Sequence, residues 1–505
     1  MTNSRIGNTK RILSSGMLNR IIHMVLPFVN RTIIIYTLGS EFVGLSGLFT
    51  SIIQVLSLAE FGINKAVVFS LYEPLTKNNT DAISAMICRL RKIYRIVGTV
   101  ILCGGIVATP FVTVFIHGSY PQNINIYCVF LLYLFNSGIS YFLFAHKEAI
   151  LIADQRSDVS TNIRSIVAIF VGILQCLALV VFKNYYLFII LLVIGTILSN
   201  ILVNRIVDKR YPYLQELFGA EVVKMPPRMQ KQFKGLFINH ISNISRNAFD
   251  SLVISSTLGL VYTAIYGNYY LIYSAVLGFT TIMSNSMQAS VGNSMVLRSA
   301  TENYENLLDF SFLYSWIIGW CSITMACLYQ PFMKLWVGNN LLLEDSDMIL
   351  FAVYFYCINM NHIRNQYIFG RGMWWEMRIA YLAESVGNLV LNIILGKLFG
   401  ITGVLIATIL TIFFCNYLMG NAVLFREYFK EQSIKQFYKQ QGYYLFICVG
   451  IGAIVYFVCQ NVTENLILRG MMCLVIPNLL FLIFYKPCSR WKSSMKLVQQ
   501  VFYSN

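Results

Sequence analysis

LNRIIHMVLPFVNRTIIIYTLGSEFVGLSGLFTSIIQVLSLAEFGINK, residues 18–65, is two apolar runs hinged at Gly39-Ser40-Glu41. Each run is long enough to cross a bilayer, for which about 20 apolar residues suffice in a helix. Yet Arg20, Arg31, Glu60 and Lys65 lie inside these runs or at their ends. An ionisable group at membrane depth costs about 2.5–3.5 kcal/mol on insertion scales. A chain that retains several turns them inward, toward a water-filled path or a polar substrate.

The rest of the chain has the same character. Of 505 residues, 57% are hydrophobic and only 12% charged, and the mean hydropathy is +0.63. Soluble domains carry about 25% charged residues. Halving that fraction over this length excludes an ordinary soluble enzyme. The net charge of +16 sits in short loops between apolar runs, as the positive-inside rule produces, and not on one basic face, so nucleic acid is not an expected partner.

Fourteen runs read as spans: 18–38, 42–70, 95–116, 125–145, 162–182, 185–206, 236–258, 260–285, 309–332, 348–369, 379–399, 401–424, 443–459 and 466–485. One set of loops holds Arg89, Arg91, Lys92, Arg95, Lys147, Arg156, Arg205, Lys209, Arg210, Arg371, Arg426 and Lys430. The alternate loops hold little beyond Lys183 and Lys334, with acidic Glu344, Asp345 and Asp347. Both termini are therefore expected in the cytoplasm, which requires an even number of spans. The polar start entering a run with no small-residue cleavage site reads as an uncleaved first span.

The longest and most basic inner connection, Arg205 to Gly235, contains Pro226-Pro227 and divides the chain. An internal repeat supports the cut: Ile34-Ile35-Tyr36-Thr37-Leu38-Gly39 aligns with Ile254-Ser255-Ser256-Thr257-Leu258-Gly259, and Gly47 with Gly267. Six spans separate the copies, so the repeat is parallel, about an axis along the membrane normal. The expected organisation is an N-lobe over 1–220 (spans 1–6), a C-lobe over 221–442 (spans 7–12), and spans 13–14 with a cytoplasmic tail over 443–505.

At about 100° per residue, Arg20, His23, Pro27, Asn30 and Arg31 share one face of the first helix. Asn239, His240, Asn243, Arg246, Asn247 and Asp250 share a face of the seventh, its equivalent under the repeat. Buried membrane polar groups often pair internally and brace helices, and Arg20 and Lys65 are also placed to snorkel to the interface. Arg31, in mid-span, has least excuse of that kind. Two equivalent stripes richer in Arg, Lys and His than in acid suit an anion, and guanidinium grips phosphate bidentately while staying charged. The candidate substrate contacts are Asn30, Arg31, Lys65, His240 and Arg246; the carboxylates that could carry a coupling proton are Glu60, Asp250 and Glu384.

No chemistry-bearing motif accompanies them. There is no GxxxxGK[ST] loop, no HExxH and no CxxC among the 12 cysteines and five histidines. Most cysteines lie inside apolar runs and read as small packing residues. No cofactor and no metal are expected, nor is enzymatic activity.

Residues 8–75 carry a resemblance. Pro27-Phe28-x-x-Arg31, Gly39-x-Glu41-x-x-Gly44-Leu45-x-Gly47-Leu48-Phe49, Glu60-x-Gly62 and Ser70-Leu71-Tyr72-x-Pro74-Leu75 resemble the opening of bacterial Wzx-type polysaccharide repeat-unit flippases. These belong to the MOP superfamily with MATE transporters and lipid II flippases. Beyond the first hundred residues the likeness is topological. The resemblance implies an all-α polytopic membrane protein of about 14 transmembrane helices, in two six-helix lobes plus two C-terminal helices. It also implies that the chain moves undecaprenyl-pyrophosphate-linked oligosaccharide, for O-antigen, capsule or exopolysaccharide, across the bacterial inner membrane by alternating access. Membrane lipids, a polysaccharide polymerase and a chain-length regulator are the partners it implies. The rival readings are a MATE-type drug antiporter, whose cavity should be acid-rich, and a polysaccharide polymerase, which needs a larger outer loop than any here.

Overall fold

Helices account for nearly all of the computed structural model, which describes residues 2–60, 63–215 and 227–496 and no strand among them. The side chains of residues 2–18, 59–66 and 227–230 and of a few single positions lie outside that description. Contacts divide the chain into two compact units, Met1–Ala264 and Ile265–Asn505.

The first unit contains α1 (Thr2–Thr37), α2 (Ser40–Leu56), α3 (Ile63–Thr76), α4 (Thr80–Ala108), α5 (Ile126–Phe142), α6 (Glu148–Ala153), α7 (Ser157–Val181), α8 (Tyr185–Arg210) and α9 (Pro227–Thr257). Its core joins α2, α5 and α8: Phe49 meets the Phe130 ring edge-on at 5.3 Å and Phe42 meets Tyr185 at 4.9 Å. Helix α9 packs on α2, and Gly44 of α2 makes room for the chain just beyond α9: a Cβ there would stand 1.9 Å from the carbonyl oxygen of Leu260, the first residue of α10. The compact unit thus runs past residue 220, because packing joins α9 to α2 whatever the ancestry of the two halves.

The repeat is visible in backbone detail. At the end of α1 the amides of Leu38 and Gly39 both donate to the Ile34 carbonyl, at 2.9 and 3.0 Å. At the end of α9 the amides of Leu258 and Gly259 both donate to Ile254, at 2.8 and 3.2 Å. Gly39 (φ 111°) and Gly259 (φ 97°) then reverse the chain in a conformation that disfavours side-chain-bearing residues. Equivalent residues build the same cap.

The second unit continues α10 (Leu260–Ser286) into α11 (Gln288–Leu297), α12 (Ala300–Val337), α13 (Asp345–Arg371), α14 (Arg378–Thr411), α15 (Met419–Glu427), α16 (Ile434–Val462) and α17 (Leu466–Tyr485). Ser299 and Glu302 form a reciprocal capping box that starts α12. Helix α14 folds back on itself at Gly400 (φ 62°), which turns one 34-residue element into the two expected spans. Asn388 Nδ2 donates to Thr408 Oγ1 at 3.0 Å across the two limbs.

Each of the fourteen apolar runs falls on helix. Seven helices among the described residues are long and apolar enough to cross a membrane on their own, and α5 with α6 makes an eighth, bent by 50°. Helices α1, α9 and α13 do not reach that apolarity, because polar residues occupy part of each surface. The second run is broken between α2 and α3 by a 3-10 turn, Ser57–Glu60. Val107, Ile166, Phe170, Phe446 and Phe457 stand exposed on α4, α7 and α16, an apolar outer surface suited to lipid. This is an all-α, multi-pass membrane protein.

Candidate functional site

In the first unit the polar stripe of α1 forms a ladder against α7. Asn19 Nδ2 donates to Asn162 Oδ1 at 2.7 Å, His23 Nε2 lies 3.4 Å from Ser165 Oγ, and Asn30 Nδ2 donates to Gln175 Oε1 at 3.1 Å. Gln175, itself buried, passes the network on to the Phe188 carbonyl on α8 at 3.0 Å. These rungs recur at helical spacing, so one face of α1 stays turned to α7. Asn30 is thereby a brace between helices, with Cys176 also against its Oδ1.

Arg31 stands beside this ladder without joining it. Among the described residues its guanidinium has no hydrogen bond and no ion-pair partner, and it is only partly exposed. Arg20, at the other end of the stripe, is exposed. Lys65 lies in α3 and Glu60 ends the 3-10 turn, but their side chains fall outside the described residues.

The equivalent stripe on α9 is tied more tightly. Asn243 Nδ2 donates to the Asn239 carbonyl and to its Oδ1, both at 3.0 Å, and Arg246 Nη2 donates to Asn243 Oδ1 at 2.7 Å. Arg246 and Asp250 are buried, Asp250 completely, while His240 is partly exposed. Further along, Ser255 Oγ donates to the Phe115 carbonyl at 2.7 Å, and the Ser255 carbonyl accepts from the His117 amide at 2.9 Å. The lower part of α9 is thus polar, and its upper end is docked.

The second unit holds a cluster that the reading of charges passed over. Arg364 on α13 is almost wholly buried and donates to the Asn416 carbonyl (2.6 Å), the Asn416 Oδ1 (2.7 Å) and the Asn365 Oδ1 (2.7 Å). Asn416 Nδ2 in turn donates to Glu384 Oε2 at 2.6 Å. One amide therefore relays between a buried guanidinium and a buried carboxylate. Residues 412–418 form a π-helix, a local widening often found at functional positions. Gly420 makes room: a Cβ there would lie 2.2 Å from Arg364 Nη1. The available signal was the run Asn359-x-Asn361-His362-x-Arg364-Asn365-Gln366 inside the tenth span.

Aromatic side chains of this unit are packed on each other. Tyr273 stacks on Tyr354 at 4.5 Å, and Tyr269 donates from its hydroxyl to Gln330 and accepts from the Leu343 amide at 3.2 Å. They fill the second unit.

No family model and no curated protein sequence matches this chain. Solved structures do. The lipid II flippase MurJ in an inward closed conformation superposes with a TM-score of 0.68 at 15% identity, over 94% of this chain and 98% of that one. An inward-facing multidrug-resistance MATE transporter of the MOP superfamily gives 0.58 at 13% identity, over 79% and 94%. A Vibrio cholerae MATE transporter gives 0.58 at 12% identity, over 85% and 100%. The chain has the fold shared by these flippase and transporter structures.

Proposed function

We propose that this protein is a Wzx-type flippase. It carries undecaprenyl-pyrophosphate-linked oligosaccharide from the cytoplasmic to the periplasmic leaflet of a bacterial inner membrane, with both termini in the cytoplasm. The lobes 1–220 and 221–442 alternate access to a cationic path, and residues 443–505, spans 13–14 and the tail, lie outside the repeat. A polymerase and a chain-length regulator take the product onward. The observation that carries this reading is Arg31. Arginine stays charged in proteins, and its fork matches phosphate oxygens. A guanidinium kept at membrane depth beside a polar ladder, with no anion partner among the described residues, is suited to an anion brought by the substrate. Lys65, His240 and Arg246 extend the cationic surface in this reading, Asn30 holds Arg31 in place, and Glu60, Asp250 and Glu384 are the carboxylates for a coupling proton. A MurJ-like architecture, named for a lipid flippase, favours the lipid-linked cargo over the drug cargo of the MATE neighbours.

The test is translocation of a fluorescent lipid-pyrophosphate oligosaccharide in proteoliposomes, read by protection from an external quencher. The unaltered protein should equilibrate the probe between leaflets, and Arg31→Ala should slow it more than about tenfold, the loss of one charge-assisted contact of about 1.5–3 kcal/mol. Arg31→Lys should fall between the two. Undiminished flipping by Arg31→Ala, or transport of a cationic dye in place of the glycolipid, would overturn the reading.

A further inference from the structure

Three of the twelve cysteines converge in the second unit. Cys327 comes from α12, Cys459 from α16 and Cys473 from α17, and their sulfur atoms all lie within 4.8 Å of one another. All three are buried at 2% exposure or less. Cys459 Sγ and Cys473 Sγ are 3.9 Å apart. Three sulfurs about 2.3 Å from a central ion, the usual metal–thiolate length, stand about 4.0 Å from each other in a trigonal plane. The cluster is near that size without rearrangement.

The surroundings suit a bound cation as well. Among the described residues the group contains three cysteines and no histidine or carboxylate, and thiolate donors of this kind select a soft ion. Arg469 lies one turn before Cys473 on the same helix and is buried. Its Nε donates to the Thr463 carbonyl at 2.6 Å, which fixes it at the mouth of the α16–α17 hairpin. We propose that Cys327, Cys459 and Cys473 form a trigonal thiolate site for one soft divalent cation. On binding, each thiol releases one proton to solvent and forms one sulfur–metal bond. No oxidation state changes, and the complex carries a single negative charge that the Arg469 guanidinium offsets. The bound ion pins α16 and α17, which lie outside the repeat, to α12. Nothing in this depends on what the protein transports.

Full-length protein, purified in detergent with reductant and then freed of it, is titrated with cadmium(II). Bound metal is read by mass spectrometry and by the ultraviolet sulfur-to-metal charge-transfer band. One cadmium per chain is expected, with affinity lowered more than about tenfold in Cys327→Ser, Cys459→Ser or Cys473→Ser. Cys88→Ser should bind as the unaltered chain does. Should the serine variants fail to fold, X-ray absorption of the cadmium-loaded unaltered protein decides, and three sulfur neighbours are expected. No retained cadmium, a first shell of oxygen or nitrogen, undiminished uptake by the triple serine variant, or a Cys459–Cys473 disulfide in protein whose thiols were trapped at lysis would each overturn the proposal.

Discussion

Arg31 on α1 and Arg364 on α13 are both mid-helix arginines, in different compact units, and they are handled in opposite ways. Arg364 gives five hydrogen bonds to Asn365, Asn416 and Tyr417 and is linked to Glu384 through one amide. Arg31 gives none among the described residues. The first is what a charge looks like when the fold has enclosed it and satisfied every donor. The second, in the proposed reading, keeps its donors for the substrate. Composition does not separate them: both are guanidinium groups in mid-helix with asparagine next to them in sequence. Only the neighbours contributed by other helices do.

The difference breaks most visibly at Arg364. Arg364→Met should destabilise the protein by about 3–5 kcal/mol, because Glu384 is left buried beside an amide with no cation behind it. Thermal unfolding in detergent measures the loss. Adding Glu384→Gln should recover part of it, since the two residues share one network. Full additivity would show that the relay through Asn416 carries no coupling.

At Arg31 the expected signs reverse. Arg31→Ala should leave the unfolding midpoint within about 0.5 kcal/mol of the unaltered protein while abolishing most translocation. A large stability loss instead would make Arg31 a second Arg364. The smallest effect belongs to its neighbour. Asn30→Ala removes one bond to Gln175 and should cost about 1 kcal/mol of stability, with translocation lowered modestly through the position of α1.

The fold class was open to reading because lipid imposes a coarse rule: backbone groups must be satisfied within each helix, and runs of about 20 apolar residues announce where. The repeat was legible for a related reason. A chain reversal at positive φ calls for glycine, and Gly39 and Gly259 keep the same offset from Ile34 and Ile254. The candidate site was legible only as a stripe. Arg20, His23, Pro27, Asn30 and Arg31 lie on one face by periodicity, but periodicity does not tell a residue bonded to α7 from one that is not. The stripe on α9 has the same limit, and the Lys65 and Glu60 side chains fall outside the described residues. Arg364 went unnoticed because its asparagine and carboxylate partners lie 52 and 20 residues away, on helices whose contact follows from the fold-back at Gly400.

By itself the sequence determined where helices run, where the chain must turn, and that polar groups are held at membrane depth. These follow from local spacing and from the cost of exposing polar atoms to lipid. Which of those groups are used up was decided only when distant helices met. Gln175 claims Asn30, Asn416 claims Arg364, three cysteines with no common spacing arrive within 4.8 Å of one another, and no described residue claims Arg31. Pairing is a property of side chains brought together in space, so it has no period in the sequence.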